Sequence, residues 1–440
     1  MQIEMLQISQ YVLKHPIMGE SEEYKERYIN TLEYFVNKYS PKEIFSKSML
    51  ELYKKGLLIN PECYEYRDEE LKKISKGILS WKMKKFKFFS YRYCLLIDVV
   101  FMCSFLDITK AEMVYQEILE IYNKRYWKKL EELFSVIVGK SEDCEHLDQT
   151  DYLMKCLKAN RDFLCNDTRN VLVTANMSAG KSTLLNAIIG KKVNKTQNDA
   201  CTAKTHYLIN KAFEDNLSYE YDYDLELDAS REILMEDNES NSSSDIYVGT
   251  KFRTIGDINI PICYIDTPGV NSSQDKIHRE ISEKNIVDSK YEKLIYIMNG
   301  ENIGTEDDRR HLEFVAENYK GTVIFVINKL DRYRKEDSIP DTLQQVKKDL
   351  EELGYKQPII CPVSAYAAYL AKMSMYDEEL NDDEIDELDR FYRKLSKEEY
   401  QLNRYYPVDY QDISVSEDPN QKLLLHSGLL SLEKILYEER

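Results

Sequence analysis

The run Asn170-Val-Leu-Val-Thr-Ala175, followed directly by Asn176-Met-Ser-Ala-Gly-Lys-Ser-Thr183 and then Leu184-Leu-Asn-Ala-Ile-Ile189, constrains this chain more than any other stretch. It reads as a β-branched strand, a tight loop and an apolar helix with no spacer between them. The loop matches the end of GxxxxGK[ST], with Ala175 where the first glycine normally sits. In such a loop successive backbone N–H groups and the helix N-terminus face phosphate oxygens. Asn176, Met177, Ser178, Ala179, Gly180, Lys181, Ser182 and Thr183 are therefore candidate phosphate contacts. Lys181 adds a full charge, and Ser182 offers a hydroxyl to Mg2+. Taken alone, the loop competes with a chance Gly-Lys-Ser in a turn.

Three further motifs follow in the order a nucleotide-binding domain requires. The strand Ile260-Pro-Ile-Cys-Tyr-Ile265 leads into Asp266-Thr-Pro-Gly269, a DxxG. Asp266 can hold a Mg2+-bound water, and the Gly269 N–H can sense a γ-phosphate. The strand Val323-Ile-Phe-Val-Ile327 leads into Asn328-Lys-Leu-Asp331, an NKxD. The Asp331 carboxylate can accept the two N–H donors of guanine's Watson–Crick edge; adenine has no matching pair, and a buried carboxylate left unpaired is costly. Val363-Ser-Ala365 suits a loop whose backbone contacts the guanine oxygen. Asn328, Lys329, Asp331, Ser364 and Ala365 are thus the candidate base contacts. A threonine between the P-loop and DxxG is needed to complete the Mg2+ shell; Thr202 is assigned, with Thr196 and Thr205 as alternatives. These motifs predict a P-loop GTPase domain that binds GTP or GDP with Mg2+.

The rest of the chain frames that domain. Residues 1–165 carry apolar positions every three or four residues, such as Tyr24, Tyr28, Leu32 and Phe35, and predict an all-helical region. Cys94 to Leu106 is too short to span a bilayer and is interrupted by Asp98, so it reads as a buried helix. From 166 to 440 short β-branched runs alternate with helical patterns, the mark of an α/β domain: a mostly parallel sheet with helices on both faces. Strands are placed at 170–175, 205–210, 260–265, 293–298, 322–327 and 357–361. Insertions are placed near 211–250, where an acidic Ser/Asn-rich stretch is partly flexible, and near 367–421, whose acidic run from Asp377 to Asp389 reads as a solvated helix face.

The formal net charge of −18, from 78 acidic and 60 basic residues, disfavours nucleic acid as the main partner. The nine cysteines are scattered without CxxC spacing, and the N-terminus lacks a signal-peptide pattern. A cytoplasmic protein with reduced thiols is expected. The basic and aromatic segment Trp81 to Tyr93 reads as an amphipathic helix with snorkelling lysines rather than as a membrane or nucleic-acid contact.

After DxxG stands Val270, where the small signalling GTPases carry a water-orienting glutamine. The loop Ser178–Thr183, the helix Leu184–Gly190, the segment Cys201-Thr-Ala203 and the stretch Tyr296–Asp308 resemble the dynamin superfamily, particularly its bacterial dynamin-like members. The resemblance implies that Ser178 sits where a monovalent cation, K+ or Na+, replaces an arginine finger, and that Thr202 helps hold the attacking water. Ser178, Lys181, Thr202 and Gly269 are then the candidate catalytic positions, and Ser182, Thr202 and Asp266 the metal positions. Ala175 and Met177 depart from the glycine and glutamine common in that family. The resemblance also implies activation by nucleotide-dependent G-domain dimerisation, helices before the G domain as part of a neck, and a trunk and membrane paddle after it. Leu425 to Ile435 looks like the start of the last G-domain helix. The expectation is therefore a homodimer through G domains or a hetero-oligomer with a trunk-bearing partner, peripheral at a membrane and touching it indirectly. A regulatory or assembly-factor GTPase without membrane remodelling, and a nucleotide-binding scaffold that barely turns over, are the competing readings.

Overall fold

Buried β-branched runs dominate the second half of the chain, and they pair into a sheet whose parallel core explains why those runs are apolar on both faces. The computed structural model describes residues 3–67, 91–193, 204–230, 233–234, 245–269 and 276–438, apart from positions 106, 146, 148, 177, 223, 257, 258 and 289. The strands are β1 (Arg169–Ala175), β2 (Thr205–Asn210), β3 (Tyr219–Tyr221), β4 (Leu225–Glu226), β5 (Asp245–Thr250), β6 (Ile262–Asp266), β7 (Lys293–Asn299), β8 (Thr322–Asn328) and β9 (Ile359–Val363). The chain forms two compact units, residues 1–166 with 211–228, and residues 167–210 with 229–440.

The second unit is an α/β domain whose strands run in the order β5-β2-β6-β1-β7-β8-β9. From β6 to β9 all neighbours are parallel, while β2 runs antiparallel to β6 and parallel to β5. Register aligns the chemistry. Val173 of β1 faces Asp266, Asn299 of β7 faces Asn328, and Asn328 faces Val363, so the C-terminal ends of β6, β1, β8 and β9 share one edge. In open α/β sheets ligands bind at that edge, where strand order switches. Pro362 inside β9 is tolerated because β9 is an edge strand, where a missing N–H need not break a ladder bond. The helix Lys181–Ile189 packs on Ala365–Met375 and Leu429–Tyr437, and Lys276–Asp288 packs on Glu306–Asn318.

The first unit centres on the helix Arg92–Ser104, buried from Tyr93 through Ser104. A helix apolar all round belongs in the middle of a bundle. It packs against Glu22–Tyr39, Ile44–Leu57, Ile108–Ile121, Trp127–Ile137 and Asp151–Leu164. Asp98, which interrupts the apolar run, is itself fully buried. Its Oδ1 accepts from the Tyr11 hydroxyl at 2.9 Å and the Tyr53 hydroxyl at 3.1 Å. Its Oδ2 accepts from Tyr28 and from His15 Nε2 at 2.9 Å. His15 Nδ1 accepts the Ile17 N–H at 3.1 Å, which leaves Nε2 to donate to Asp98. Burial pushes the three tyrosine hydroxyls well above their ordinary range, with Asp98 adding to it.

The stretch 211–250, expected as one insertion of the G domain, is divided. Residues 211–228 cluster with the helical unit. Ser9 Oγ donates to the Phe213 carbonyl at 2.6 Å, Asp215 accepts the Gln10 N–H at 2.7 Å, and β3 pairs with β4. Residues 245–250 are β5, paired with β2. At the start of the second expected insertion, the helix Ala365–Met375 packs on the P-loop helix. The expected last helix is split into Pro419–His426 and Leu429–Tyr437 by Gly428, whose φ of 79° ends one helix and opens the next. A Cβ at Gly428 would collide with the Pro362 carbonyl. The segment at 81–90 lies outside the described residues, and the neighbouring Tyr91 and Tyr93 are buried. Among the described residues no helix is long and apolar enough to cross a membrane.

Candidate functional site

The site is assembled on the strand ends. After β1 the chain turns through Ser178, a non-glycine residue at φ 58°, and Gly180 at φ 88° before the helix starts at Lys181. Both left-handed positions are needed for so tight a turn, and a Cβ at Gly180 would collide with Asn328 Nδ2. The helix opens without a side-chain cap, so its first N–H groups remain available to an anion. Ser178 is exposed, Ala179 is buried, and Asn176, Lys181, Ser182 and Thr183 are half-buried. Met177 lies outside the described residues.

Lys181 Nζ is ion-paired with Asp266, which is 1% exposed at the end of β6. Burial pushes the Asp266 carboxyl up, against the pull of Lys181 in the other direction. Gly269, half-buried, follows the buried Thr267 and Pro268 in the same loop. The donor set here is a carboxylate and a hydroxyl, hard oxygens of the kind Mg2+ takes. Among the described residues no cluster of three or more His, Cys, Asp or Glu could hold a metal alone, so an ion at Asp266 and Ser182 would take its remaining oxygens from phosphate and water. The residues fit Mg2+ in that sense.

The NKxD loop is tied to the P-loop by one carboxamide. Asn328 Nδ2 donates to the Ala179 carbonyl at 2.8 Å, and its Oδ1 accepts the Ala365 N–H at 2.9 Å and the Lys329 N–H at 2.8 Å. Lys329 is left-handed at φ 67°, and burial holds its ammonium below the ordinary value. Ser364 Oγ donates to Asp331 Oδ1 at 2.8 Å in a buried contact, which orients the carboxylate. The structure thus brings Asn328, Asp331, Ser364, Ala365 and the P-loop together. Thr202, Thr196 and Val270 lie outside the described residues. Thr205, the other alternative, is buried at the start of β2, where its hydroxyl accepts from Asn285 at 2.9 Å.

A layer beneath the site was not anticipated. The Thr267 hydroxyl donates to the Val173 carbonyl at 3.0 Å and accepts from Ser282 at 3.3 Å; Thr174 reaches Ser282 at 3.3 Å and His311 Nε2 at 2.9 Å. Burial pushes the His311 imidazole down to about 4, so the ring is neutral. Asn176 donates to Asp308, whose carboxyl burial pushes up. Thr305 caps the helix Glu306–Asn318 by accepting the Asp308 N–H at 3.2 Å. A Thr-x-x-Asp before an apolar helical run is the readable signal for that cap. Nothing in the sequence signals the His311 chain.

A mostly parallel sheet with a P-loop after its central strand, DxxG ending the neighbouring strand and NKxD clasped to the P-loop defines a P-loop GTPase domain. Residues 171–330 match the Dynamin family. The chain is similar to the bacterial dynamin-like protein of Nostoc punctiforme, 23% identical over 248 residues that make up 53% of this chain and 34% of that protein. It is also similar to the probable transmembrane GTPase FZO-like, chloroplastic, of Arabidopsis thaliana, 23% identical over 205 residues, 46% of this chain and 20% of that one. The match thus spans about a third or less of these relatives' own length. Among solved structures, Aquifex aeolicus Era bound to GDP and aluminium fluoride aligns at 17% identity over 49% of this chain and 58% of that one; its TM-score of 0.28 is too low to bear on function. The chain thus carries a GTPase domain, and residues 171–330 of it are similar to the Dynamin family.

Proposed function

We propose that this chain binds GTP with Mg2+ and hydrolyses it as a dynamin-like GTPase, in a reaction stimulated when two G domains meet. The observation that carries the guanine reading is the Asn328 clasp, which holds the base loops against the P-loop while Ser364 orients Asp331. In this reading Asp331 pairs with the guanine edge, and the backbone at Ser364 and Ala365 faces the guanine oxygen. Asn328 and Lys329 brace the base from below. Lys181 and the N–H groups from Asn176 to Thr183 hold the phosphates, and Lys181 leaves Asp266 for them. Ser182, Asp266 and Thr202 would hold Mg2+, which when bound supplies charge neutralisation between the β- and γ-phosphates. The Gly269 N–H reports the γ-phosphate. Ser178, exposed at the left-handed turn of the loop, offers its oxygen to a monovalent cation.

Residues 1–165 serve as a neck-like helical region and 166–440 as the G domain in this reading. The net charge of −18 opposes direct binding to anionic lipid, so membrane contact is assigned to a trunk-bearing partner, with this chain cytoplasmic and peripheral. With Val270 after DxxG, water must be oriented by other groups, and a second G domain supplies the constraint. Specific GTPase activity is therefore expected to rise with protein concentration, and to rise further in K+ than in a large inert cation. A dilution series in both salts checks this; a flat response in each removes the dimerisation and cation readings and leaves the GTPase domain itself.

A further inference from the structure

The helix Asp382–Leu395 begins within the acidic run Asp377–Asp389, which reads from sequence as a solvated helix face. It is N-capped by Asn381 in a capping box with Glu384 and buries only Leu388, Phe391 and Leu395. Its last turn nevertheless reaches the base loop. Lys394 Nζ donates to the Asp331 carbonyl at 2.6 Å and to the Tyr333 carbonyl at 2.6 Å. The same ammonium stands 4.6 Å from the centroid of the Tyr400 ring. One turn earlier Phe391 packs edge-on against Tyr366 at 5.9 Å, next to Ala365 in the other base loop.

We propose that Lys394 is a positioning residue for base selection: its ammonium pins the backbone of the loop that presents Asp331. The inference rests on the reading of Asp331 as the guanine-selecting carboxylate. Asp331 lies in the short 3-10 turn Leu330–Arg332, entered through the left-handed Lys329. That turn is held from within by the Arg332 N–H on the Lys329 carbonyl at 3.1 Å and the Tyr333 N–H on the Leu330 carbonyl at 3.2 Å. Lys394 gathers the Asp331 carbonyl within the turn and the Tyr333 carbonyl just after it. Ser364 fixes the Asp331 side chain and Lys394 fixes its main chain, so the carboxylate is held at both ends. A pair of N–H···O bonds to a base edge tolerates little displacement, since such bonds weaken steeply with distance and angle. Charge matters as well, because a donating ammonium makes stronger bonds than a neutral donor.

The test compares the full chain with Lys394→Met and Lys394→Arg by titration with GTP, ATP and inorganic tripolyphosphate. Lys394→Met should weaken GTP binding about tenfold while tripolyphosphate affinity stays within about twofold, so that the GTP-to-ATP preference falls by a similar factor. Lys394→Arg, which keeps charge and donors, should restore most of it. In turnover Lys394→Met should raise KM for GTP and leave kcat at saturation little changed. If the unaltered chain prefers GTP and Lys394→Met keeps that preference, the inference is overturned and the guanine reading stands. An unaltered chain without a GTP preference overturns the guanine reading and this inference with it. A parallel fall in GTP and tripolyphosphate binding marks general loosening and also overturns the inference. Should Lys394→Met fail to fold, Lys394→Gln keeps one donor without the charge, and the same ratio decides.

Discussion

Lys181→Ala is expected to abolish measurable GTP binding, a loss of at least about a hundredfold, or about 3 kcal/mol. Lys181 is the cation at the mouth of the phosphate loop, and its ammonium is already parked on the Asp266 carboxylate at the end of the neighbouring strand. Removing it deletes the phosphate's charged partner and leaves Asp266 buried beside the bound anion, a second penalty of the same sign. The fold should survive. Burial already pushes the Asp266 carboxyl up, so once Lys181 is removed it can take a proton. A fluorescent-nucleotide titration alongside thermal unfolding separates the two effects. GTP affinity within about threefold of the unaltered chain would remove Lys181 from the site.

The second large effect lies far from the nucleotide in sequence. Asp98→Ala should destabilise the helical unit by roughly 4 kcal/mol. The substitution strips the shared acceptor from three tyrosine hydroxyls and His15, all buried, and each orphaned donor costs about 1–3 kcal/mol before relaxation. Asp98→Asn should cost less, because its carbonyl oxygen still accepts while its NH2 must face hydroxyls that can rotate. Denaturant unfolding with hydrogen exchange read at Arg92–Ser104 is the measurement, since a two-unit chain has no single unfolding free energy. An unchanged midpoint and unchanged exchange in that helix would show that the cluster contributes nothing net.

The contrast between these two residues explains what the sequence made readable. The P-loop, DxxG and NKxD were legible because each is a run of neighbours whose order alone states its chemistry. Strands β1, β2, β7 and β8 fell where their β-branched runs predicted, within one residue at each end. Asp98 looked like an interruption because its partners Tyr11 and Tyr53 lie 87 and 45 residues away. Asn176 and Asp308 are 132 residues apart, and Lys394 lies 63 residues beyond Asp331. β5 was hidden at the end of an acidic, Ser/Asn-rich stretch, and only its pairing with β2 makes it a strand. The close approach of the Pro362 carbonyl to Gly428, which leaves no room for a Cβ there, spans 66 residues and no local pattern reveals it. Contacts that close over long separations were invisible for that reason, although every residue in them was in view.

The central claim is that this domain selects guanine through Asp331 on a loop clasped to the P-loop by Asn328. Calorimetric titration of the unaltered chain and of Asp331→Asn with GTP, ATP and XTP in Mg2+ tests it most directly. The unaltered chain should bind GTP at least about a hundredfold more tightly than ATP, because adenine brings no pair of N–H donors to the buried Asp331 carboxylate. Asp331→Asn should lose GTP affinity and gain affinity for XTP, whose C2 carbonyl accepts the new side-chain N–H. Equal affinities for GTP and ATP in the unaltered chain, or an Asp331→Asn variant that still prefers GTP, would contradict the account.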